Sequence, residues 1–326
     1  MATICHDMCV PRFFRGTAVG LGNFDGLHLG HMALIHVLTR LAARRGLEPL
    51  VYMFREHPQN VLHGDGSARL LMDNGHKCGM LGRTALDYIC FDHFDARFAS
   101  MDPDVFARRV LRGKLGARLV VAGFNYRFGA GNAADAGDLA GMGPRFGFDV
   151  HIVGPYRAGD DVVSSSGIRS MLESGRVDAA KEMLGRLFSV CGVVEGGLRI
   201  GRTIGLPTAN LLIDAGTLLP LDGVYVTSAY AAGRFYDAVT NVGPSPTVGG
   251  RPTGTVETHI IGFSGDLYGQ PLELYFHRRL RGMARFESLD AMRAQIRRDI
   301  EAARGCCAGV ARDGFAGRFA NVPSIM

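Results

Sequence analysis

The hydrophobic pattern of this chain changes near residue 186, and that change limits the folds available to it. Before it, short β-branched runs at "TAVGL" (17–21), "LVYMF" (50–54), "DYICF" (87–91), "RLVVAGF" (118–124) and "VHIVG" (150–154) alternate with stretches of helical period. In "HMALIHVLTRLAARRG", Leu34, Ile35, Leu38, Leu41 and Ala42 share one face and Gly46 is a stop signal. "MDPDVFARRVLRGKLG" is a second such stretch. Strand, helix and strand in this rhythm predict a parallel sheet with helices on both faces, an α/β Rossmann-like domain over 1–185. After it, "FSVCGVVEGG", "GVYVTSAYAAGRFYDAVTNVG", "TVETHIIGF" and "PLELYFHRRL" are strand-like and punctuated by Gly and Pro, with a hairpin turn in "AYAAGRFY". They predict a small antiparallel β-barrel over 186–305, closed by a helix with Ser288 as its N-cap. Residues 306–326 have no clear period and are expected to form a loose tail.

At 326 residues, the chain has the length of about two domains. Its net charge of +5 is carried by dispersed Lys and Arg, which argues against nucleic acid as a partner and is compatible with small anionic substrates. Seven cysteines at irregular spacing exclude a disulfide scaffold and imply reduced thiols. Cys5 and Cys9 bracket His6 and Asp7, but no second ligand pair follows at zinc spacing. The N-terminus lacks the pattern of a signal peptide, and no apolar stretch approaches the ~20 residues that cross a bilayer. The expectation is a soluble, cytoplasmic protein without a membrane partner; oligomeric state is not encoded legibly. Glycine is abundant, 45 residues against a typical ~7%. Much of it follows strands, where backbone turns tightly or approaches a ligand.

The stretch "GNFDGLHLGH" (22–31) lies directly behind the first of these strands. With a helix starting near Leu27, His28 and His31 are i and i+3 in its first turn and share a side. Unpaired N–H groups and the helix dipole add to two imidazoles, making a donor-rich place for phosphate. In-line attack on a nucleoside α-phosphate needs little more than such positioning and charge stabilisation. The alternative is that one histidine caps the helix and the other packs.

This stretch resembles the signature of the bifunctional riboflavin kinase/FMN adenylyltransferases, the bacterial FAD synthetases. Its H-x-G-H core is shared with the wider nucleotidyltransferase superfamily, and "NFDG" narrows it. The resemblance implies that His28 and His31 stabilise the transition state and that Gly22, Phe24, Asp25 and Gly30 contact ATP. "VAGFNYRFGAG" (121–131) resembles the family's flavin-side segment and implies flavin contacts for Asn125 and Arg127. "FREHP" (54–58) is similar to Phe-x-Pro-His-Pro and adds His57, with Glu56 in place of the first Pro. "VSSSGIR" (163–169) is similar to Ser-Ser-Thr-x-Ile-Arg, with Ser166 keeping the hydroxyl in place of Thr and Gly167 a further departure; it implies that Ser164, Ser165, Ser166 and Arg169 hold the departing pyrophosphate of ATP. Read without the resemblance, "SSSGIR" is equally an N-cap cluster.

"GLRIGRTIGLPTAN" (197–210) resembles the riboflavin kinase signature. The resemblance implies ATP contacts for Gly197, Gly201, Arg202, Gly205 and Pro207, and Mg²⁺ held by Thr208 and Asn210, whose hydroxyl and amide oxygens are suitably hard ligands. On residues alone it is also a glycine-rich barrel turn capped by Thr and Asn. In "VETHIIGFSGDLYG" (256–269) the family's general base maps to Glu257, while "NVGPSPTVGG" (241–250) and "FSGDLYG" (263–269) look like substrate loops. "LRGMARFESL" (280–289) resembles a flavin-covering segment and implies Arg281 and Phe286 as flavin contacts, with Met283 where the family carries Glu. The resemblance spans about 17–304. It implies phosphorylation of riboflavin by ATP to FMN and adenylylation of FMN by ATP to FAD and pyrophosphate. Two rivals are a riboflavin kinase with a silent first half and a flavin-binding protein without turnover. The phosphate and metal groups of both halves argue against the second.

Overall fold

The computed structural model describes residues 2–6, 13, 15–63, 68–196, 206–244, 254–308 and 310. Within them the chain forms two compact units, dividing between Ser164 and Ser165.

In the first unit the strands are β1 (Thr3–His6), β2 (Thr17–Leu21), β3 (Glu48–Phe54), β4 (Tyr88–Asp92) and β5 (Ala117–Gly123), a ribbon of β6 (Arg127–Phe128) with β7 (Ala134–Asp135), β8 (Asp149–Val153), and a ribbon of β9 (Arg157–Ala158) with β10 (Asp161–Val162). Six of them make one sheet in the order β1-β4-β3-β2-β5-β8, every neighbour parallel. The five strands expected from the sequence are all present within two residues of their expected bounds. The edge strand β1 was not foreseen.

Every residue of β2 is buried, as a central strand covered on both faces requires. Its alternation divides the core. Gly20 faces Leu34 and Leu38 of α1 (Leu29–Arg45), whereas Val19 and Leu21 join the cluster of Phe106, Val110, Leu111 and Leu139 on the other face. Between β3 and β4 lie α2 (Pro58–His63) and α3 (Asn74–Leu81); between β4 and β5 lie α4 (Ala96–Ala99) and α5 (Pro103–Val105). The helix expected over 101–116 is short α-helix followed by a π-helix, Phe106–Lys114. α6 (Ala136–Phe146) packs on that π-helix and on β8.

The second unit opens with α7 (Ser165–Glu173) and α8 (Val177–Leu184), which pack on one another. Six antiparallel strands follow: β11 (Phe188–Glu195), β12 (Ala209–Leu212), β13 (Gly223–Ala231), β14 (Arg234–Pro244), β15 (Gly254–Ile260) and β16 (Pro271–Arg281). They close as a barrel in the order β11-β12-β15-β14-β13-β16, and α8 packs on β11 and β16. The barrel interior holds Phe188, Tyr225 and Phe276, ring to ring at 5.3–5.7 Å. It also holds a chain of buried hydroxyls, Thr227 to Thr240 at 2.7 Å and Thr240 to Thr258 at 2.9 Å, each satisfying the next. The last helix, α9 (Leu289–Ala303), begins at Ser288, whose Oγ accepts the Ala291 N–H at 3.1 Å as expected of an N-cap. Beyond it, Asp237 accepts the backbone N–H groups of Gly305 (2.6 Å) and Cys307 (2.8 Å), tying down the first residues of the segment read as a tail. Residues 309 and 311–326 lie outside the described set.

The hairpin in "AYAAGRFY" joins β13 to β14 through Ala232 (φ 48°) and Gly233 (φ 83°). Two left-handed residues make this a primed turn, whose first position favours Asn over any residue with a plain Cβ. Ala232→Asn is therefore expected to raise the stability of the second unit by about 1 kcal/mol, read as a shift in its urea midpoint at unchanged slope.

Candidate functional site

β2 is the strand at which the sheet order reverses, with β3 on one side and β5 on the other. In open parallel sheets the crevice at such a point, beyond the carboxyl ends of the strands, is where ligands bind. Here the loop leaving β2 carries Phe24 (φ 49°), Gly26 (φ 79°) and Leu27 (φ 41°), three left-handed residues within four. Backbone held in that region by non-glycine residues stores strain, a feature of functional loops. The loop is over-determined from beneath. Asp25 Oδ1 accepts the Leu71 N–H at 2.9 Å, and the buried Lys77 donates from Nζ to the Asn23 carbonyl at 3.1 Å. Burial lowers the Lys77 pKa from its ordinary value, an effect the nearby Asp25 charge opposes.

The strain delivers the chain to α1 at the N-cap. The helix starts at Leu29, so His28 is not in its first turn, as the sequence suggested, but caps it: Nδ1 accepts the His31 N–H at 3.2 Å. That bond leaves the Nε2 position of a neutral His28 as a proton donor. The two imidazoles stack at 3.6 Å with 12° between planes, and Phe24 meets His31 edge-on at 5.4 Å. Gly30 is what permits this, because a Cβ there would lie 3.2 Å from His28 Cε1. The cap of the alternative reading is realised at His28, while its ring stays stacked on that of His31.

His31 lines a cleft of ≈ 400 Å³ together with Gly22, Asn125 and Arg127, within the range of small-molecule sites. The opposite wall is aromatic. Phe54 meets Phe94 at 4.8 Å and Phe98 at 4.9 Å, Phe98 meets Phe106 at 6.0 Å, and Phe106 meets Phe128 at 5.5 Å. Tyr52 lines the cleft as well. This wall was missed in the sequence, although Tyr52 and Phe54 are two apart in a strand and so share a face. His57 Nδ1 accepts the Gln59 N–H at 3.3 Å at the start of α2, and its neighbours Pro58 and Gln59 reach the cleft.

Glu56, which stands where the family has Pro, is turned to other work. Its Oε1 meets His93 Nδ1 at 2.7 Å and its Oε2 accepts the Phe94 N–H at 3.1 Å. Burial raises the carboxyl, but the Phe94 amide and His93 outweigh that and hold it below its ordinary value. Its charge is therefore committed to the loop that carries Phe94.

Ser164 ends the first unit, while Ser165 and Ser166 open α7 with Arg169 one turn on, a spacing that puts hydroxyl and guanidinium on neighbouring positions of one helix face.

In the barrel, Gly197, Gly201, Arg202 and Gly205 lie outside the described residues, as do 245–250 of the "NVGPSPTVGG" loop. Pro207 and Thr208 line a cavity of ≈ 270 Å³ with Phe263, Asp266 and Tyr268 of the "FSGDLYG" segment. The Pro207 carbonyl is held by His259 Nδ1 at 2.8 Å. Asn210 is the register partner of Glu257 across β12 and β15, and Asn241 is the partner of Glu257 across β15 and β14. Register partners share a face, and here it is the face opposite the buried Val256 and Thr258. Asn241, not singled out in the sequence, has a buried Oδ1 without a hydrogen-bond partner among the described residues. Arg281 donates from Nε and Nη2 to Oδ2 of the buried Asp299 of α9, at 3.1 and 2.8 Å, and its guanidinium lies 5.7 Å from the Phe286 ring. The two proposed flavin contacts are thus neighbours, and Arg281 is braced against α9.

Among the described residues no helix is long and apolar enough to cross a membrane. A family model for FAD synthetase matches residues 10–167 and one for riboflavin kinase matches 184–307. The bifunctional riboflavin kinase/FMN adenylyltransferase of Escherichia coli K12 is 33% identical over 291 residues, 89% of this chain and 92% of that protein. The Haemophilus influenzae protein of the same name is 31% identical over 294 residues, 90% of this chain and 95% of its own. Among solved structures, one described as a macrolide-efflux protein from Streptococcus pneumoniae superimposes with a TM-score of 0.83 at 30% identity, covering 93% of this chain and 99% of that one. With a parallel-sheet unit that carries a paired-histidine loop after β2, a closed barrel aligning Asn210 with Glu257, and a match running through both, the chain belongs to the bifunctional riboflavin kinase/FMN adenylyltransferase family.

Proposed function

We propose that the barrel phosphorylates riboflavin with ATP and that the parallel-sheet unit adenylylates the resulting FMN. The observation that carries the second step is the single cleft that brings His31, Asn125 and Arg127 under an aromatic wall. A fused aromatic ring system stacks on such a wall with large apolar burial. Arg127 is suited to the FMN phosphate, through charge-assisted hydrogen bonds.

An FMN phosphate oxygen attacks the α-phosphorus of ATP in line, the bond to the bridging oxygen breaks, and pyrophosphate leaves. Charge accumulates on the α-phosphate oxygens. His28, donating from Nε2, and His31, stacked on it, stand at the start of α1, where helix N–H groups face an anion. Neither histidine has to be a base, because the attacking phosphate oxygen is already ionised. Ser164, Ser165, Ser166 and Arg169 are assigned to the pyrophosphate, a role that rests on the sequence resemblance.

In the barrel, Glu257 takes the proton of the terminal ribityl hydroxyl as that oxygen attacks the γ-phosphorus and ADP leaves. Thr208 and Asn210 present neutral hard oxygens, and the orphaned Asn241 Oδ1 lies in the same cross-strand row. These donors suit Mg²⁺, which keeps most of its waters and the substrate phosphates as ligands, and which when bound neutralises phosphate charge there. Riboflavin, FMN and FAD are thus substrates or products of two sites, with ATP used at both.

Three substitutions separate the activities. His28→Asn preserves a helix cap while removing the imidazole, and His31→Ala removes the other ring. Each is expected to slow FAD formation by at least ~100-fold and leave FMN formation intact, so a chromatographic time course from riboflavin, ATP and Mg²⁺ stops at FMN. Glu257→Gln is expected to slow riboflavin phosphorylation by about 10²–10⁴-fold, while FMN supplied directly is still converted to FAD. A His31→Ala enzyme that makes FAD at the wild-type rate would overturn the first assignment.

A further inference from the structure

Beneath the aromatic wall lies a buried polar group for which the proposed reaction has no use. The Tyr52 hydroxyl donates to Asp92 Oδ2 at 2.7 Å, and Lys114 Nζ donates to the same oxygen at 2.8 Å. The Lys114 and Asp92 side chains are only 6% and 11% exposed. The ammonium also sits 5.8 Å from the centroid of the Tyr52 ring. Burial, followed by the charge of Asp92 and the bond to it, pushes the Tyr52 phenol well above its ordinary pKa, so it remains a neutral donor.

An ion pair in such a place is a poor means of stabilising a fold, because desolvation offsets the attraction and apolar side chains of similar volume serve as well. What the trio does is join three elements that carry the wall. Tyr52 stands on β3, two residues before Phe54. Asp92 ends β4 opposite Phe54, accepts the Arg55 N–H through its carbonyl at 3.0 Å, and directly precedes the loop bearing Phe94 and, after it, α4 with Phe98. Lys114 is the last residue of the π-helix whose first residue, Phe106, enters the cleft. π-Helical winding is rare and concentrates at functional sites; here an ion pair anchors its far end.

We propose that Tyr52, Asp92 and Lys114 are positioning residues that fix the spacing of the aromatic wall and thereby set the grip of the adenylyltransferase cleft on the isoalloxazine ring of FMN. This rests on the functional reading above. The trio touches neither phosphate nor adenine in this account, so it acts on the flavin and not on ATP.

The decisive variant is the double substitution Asp92→Leu with Lys114→Met, which removes both charges together and leaves neither unpaired. It is expected to melt close to the wild type, to phosphorylate riboflavin normally, and to keep its KM for ATP in the adenylyltransferase assay. Its KM for FMN is expected to rise about tenfold, the loss of one or two well-placed aromatic contacts. Tyr52→Phe, which keeps the ring and the ion pair but cuts the bond between them, is expected to raise the same KM by roughly threefold; it decides the matter if the double variant does not fold. An unchanged KM for FMN, or an equal rise for FMN and ATP, overturns the inference while leaving the functional reading intact. Wild-type protein that forms no FAD overturns both.

Discussion

The hydrogen bond from the His31 amide to His28 Nδ1 is the small interaction on which the geometry of the paired histidines depends. It does three things at once. It satisfies an N–H group at the start of α1 that would otherwise lack a partner, it selects the imidazole nitrogen left to donate, and it sets the His28 ring parallel to that of His31. The bond is possible only because the chain arrives through Phe24, Gly26 and Leu27 in left-handed conformations. That loop is strained, and the tie from Asp25 to the Leu71 amide and the buried ammonium of Lys77 hold it in place. The 68–81 segment is therefore part of the support of the site, though it contributes no group to the cleft.

Much of this was legible in the sequence. A strand fully buried on both faces reads as a continuous apolar run, and "TAVGL" matches β2 to the residue. The H-x-G-H spacing gave the histidine pair, and the change of grammar gave two architectures. What escaped has physical reasons. β1 is four residues long and acquires its strand character from pairing with β4, far away in sequence. The π-helix at 106–114 has the composition of an α-helix, so its i→i+5 hydrogen bonding leaves no mark on the sequence. The aromatic wall draws on β3, α4, the π-helix and the loop after β4, so no window of sequence contains it.

The barrel illustrates the same division. "PTAN" and the Glu in "VETH" are recognisable separately, but that Asn210 faces Glu257 is a matter of register. Register is fixed by which residues must point inward: Leu211 and Val256 are buried partners, and Ala209 pairs with the buried Thr258. The polar row on the other face follows from that constraint, as does the placing of Asn241 beside Glu257. A shift of one residue would bury Glu257 and expose Val256, so the hydrophobic interior enforces the alignment of this polar row.

The two halves handle phosphate by opposite means, and the difference follows from their sheets. A parallel sheet with helices on both faces ends each β–α passage at a helix N-terminus, where backbone N–H groups and dipole favour an anion; charge is supplied by the fold and side chains refine it. An antiparallel barrel has no such termini among its strands, and its backbone groups are consumed in the ladder. On the proposed function, phosphate transfer there rests on side chains in cross-strand rows and on the cation proposed for Thr208 and Asn210. The roles proposed for the paired histidines in one half and for Thr208, Asn210 and Glu257 in the other are in this sense in keeping with the topology of each half. Glu56 illustrates how a departure from the family pattern is accommodated in the first arrangement: His93 and the Phe94 amide engage both its carboxylate oxygens and tie it to the loop after β4.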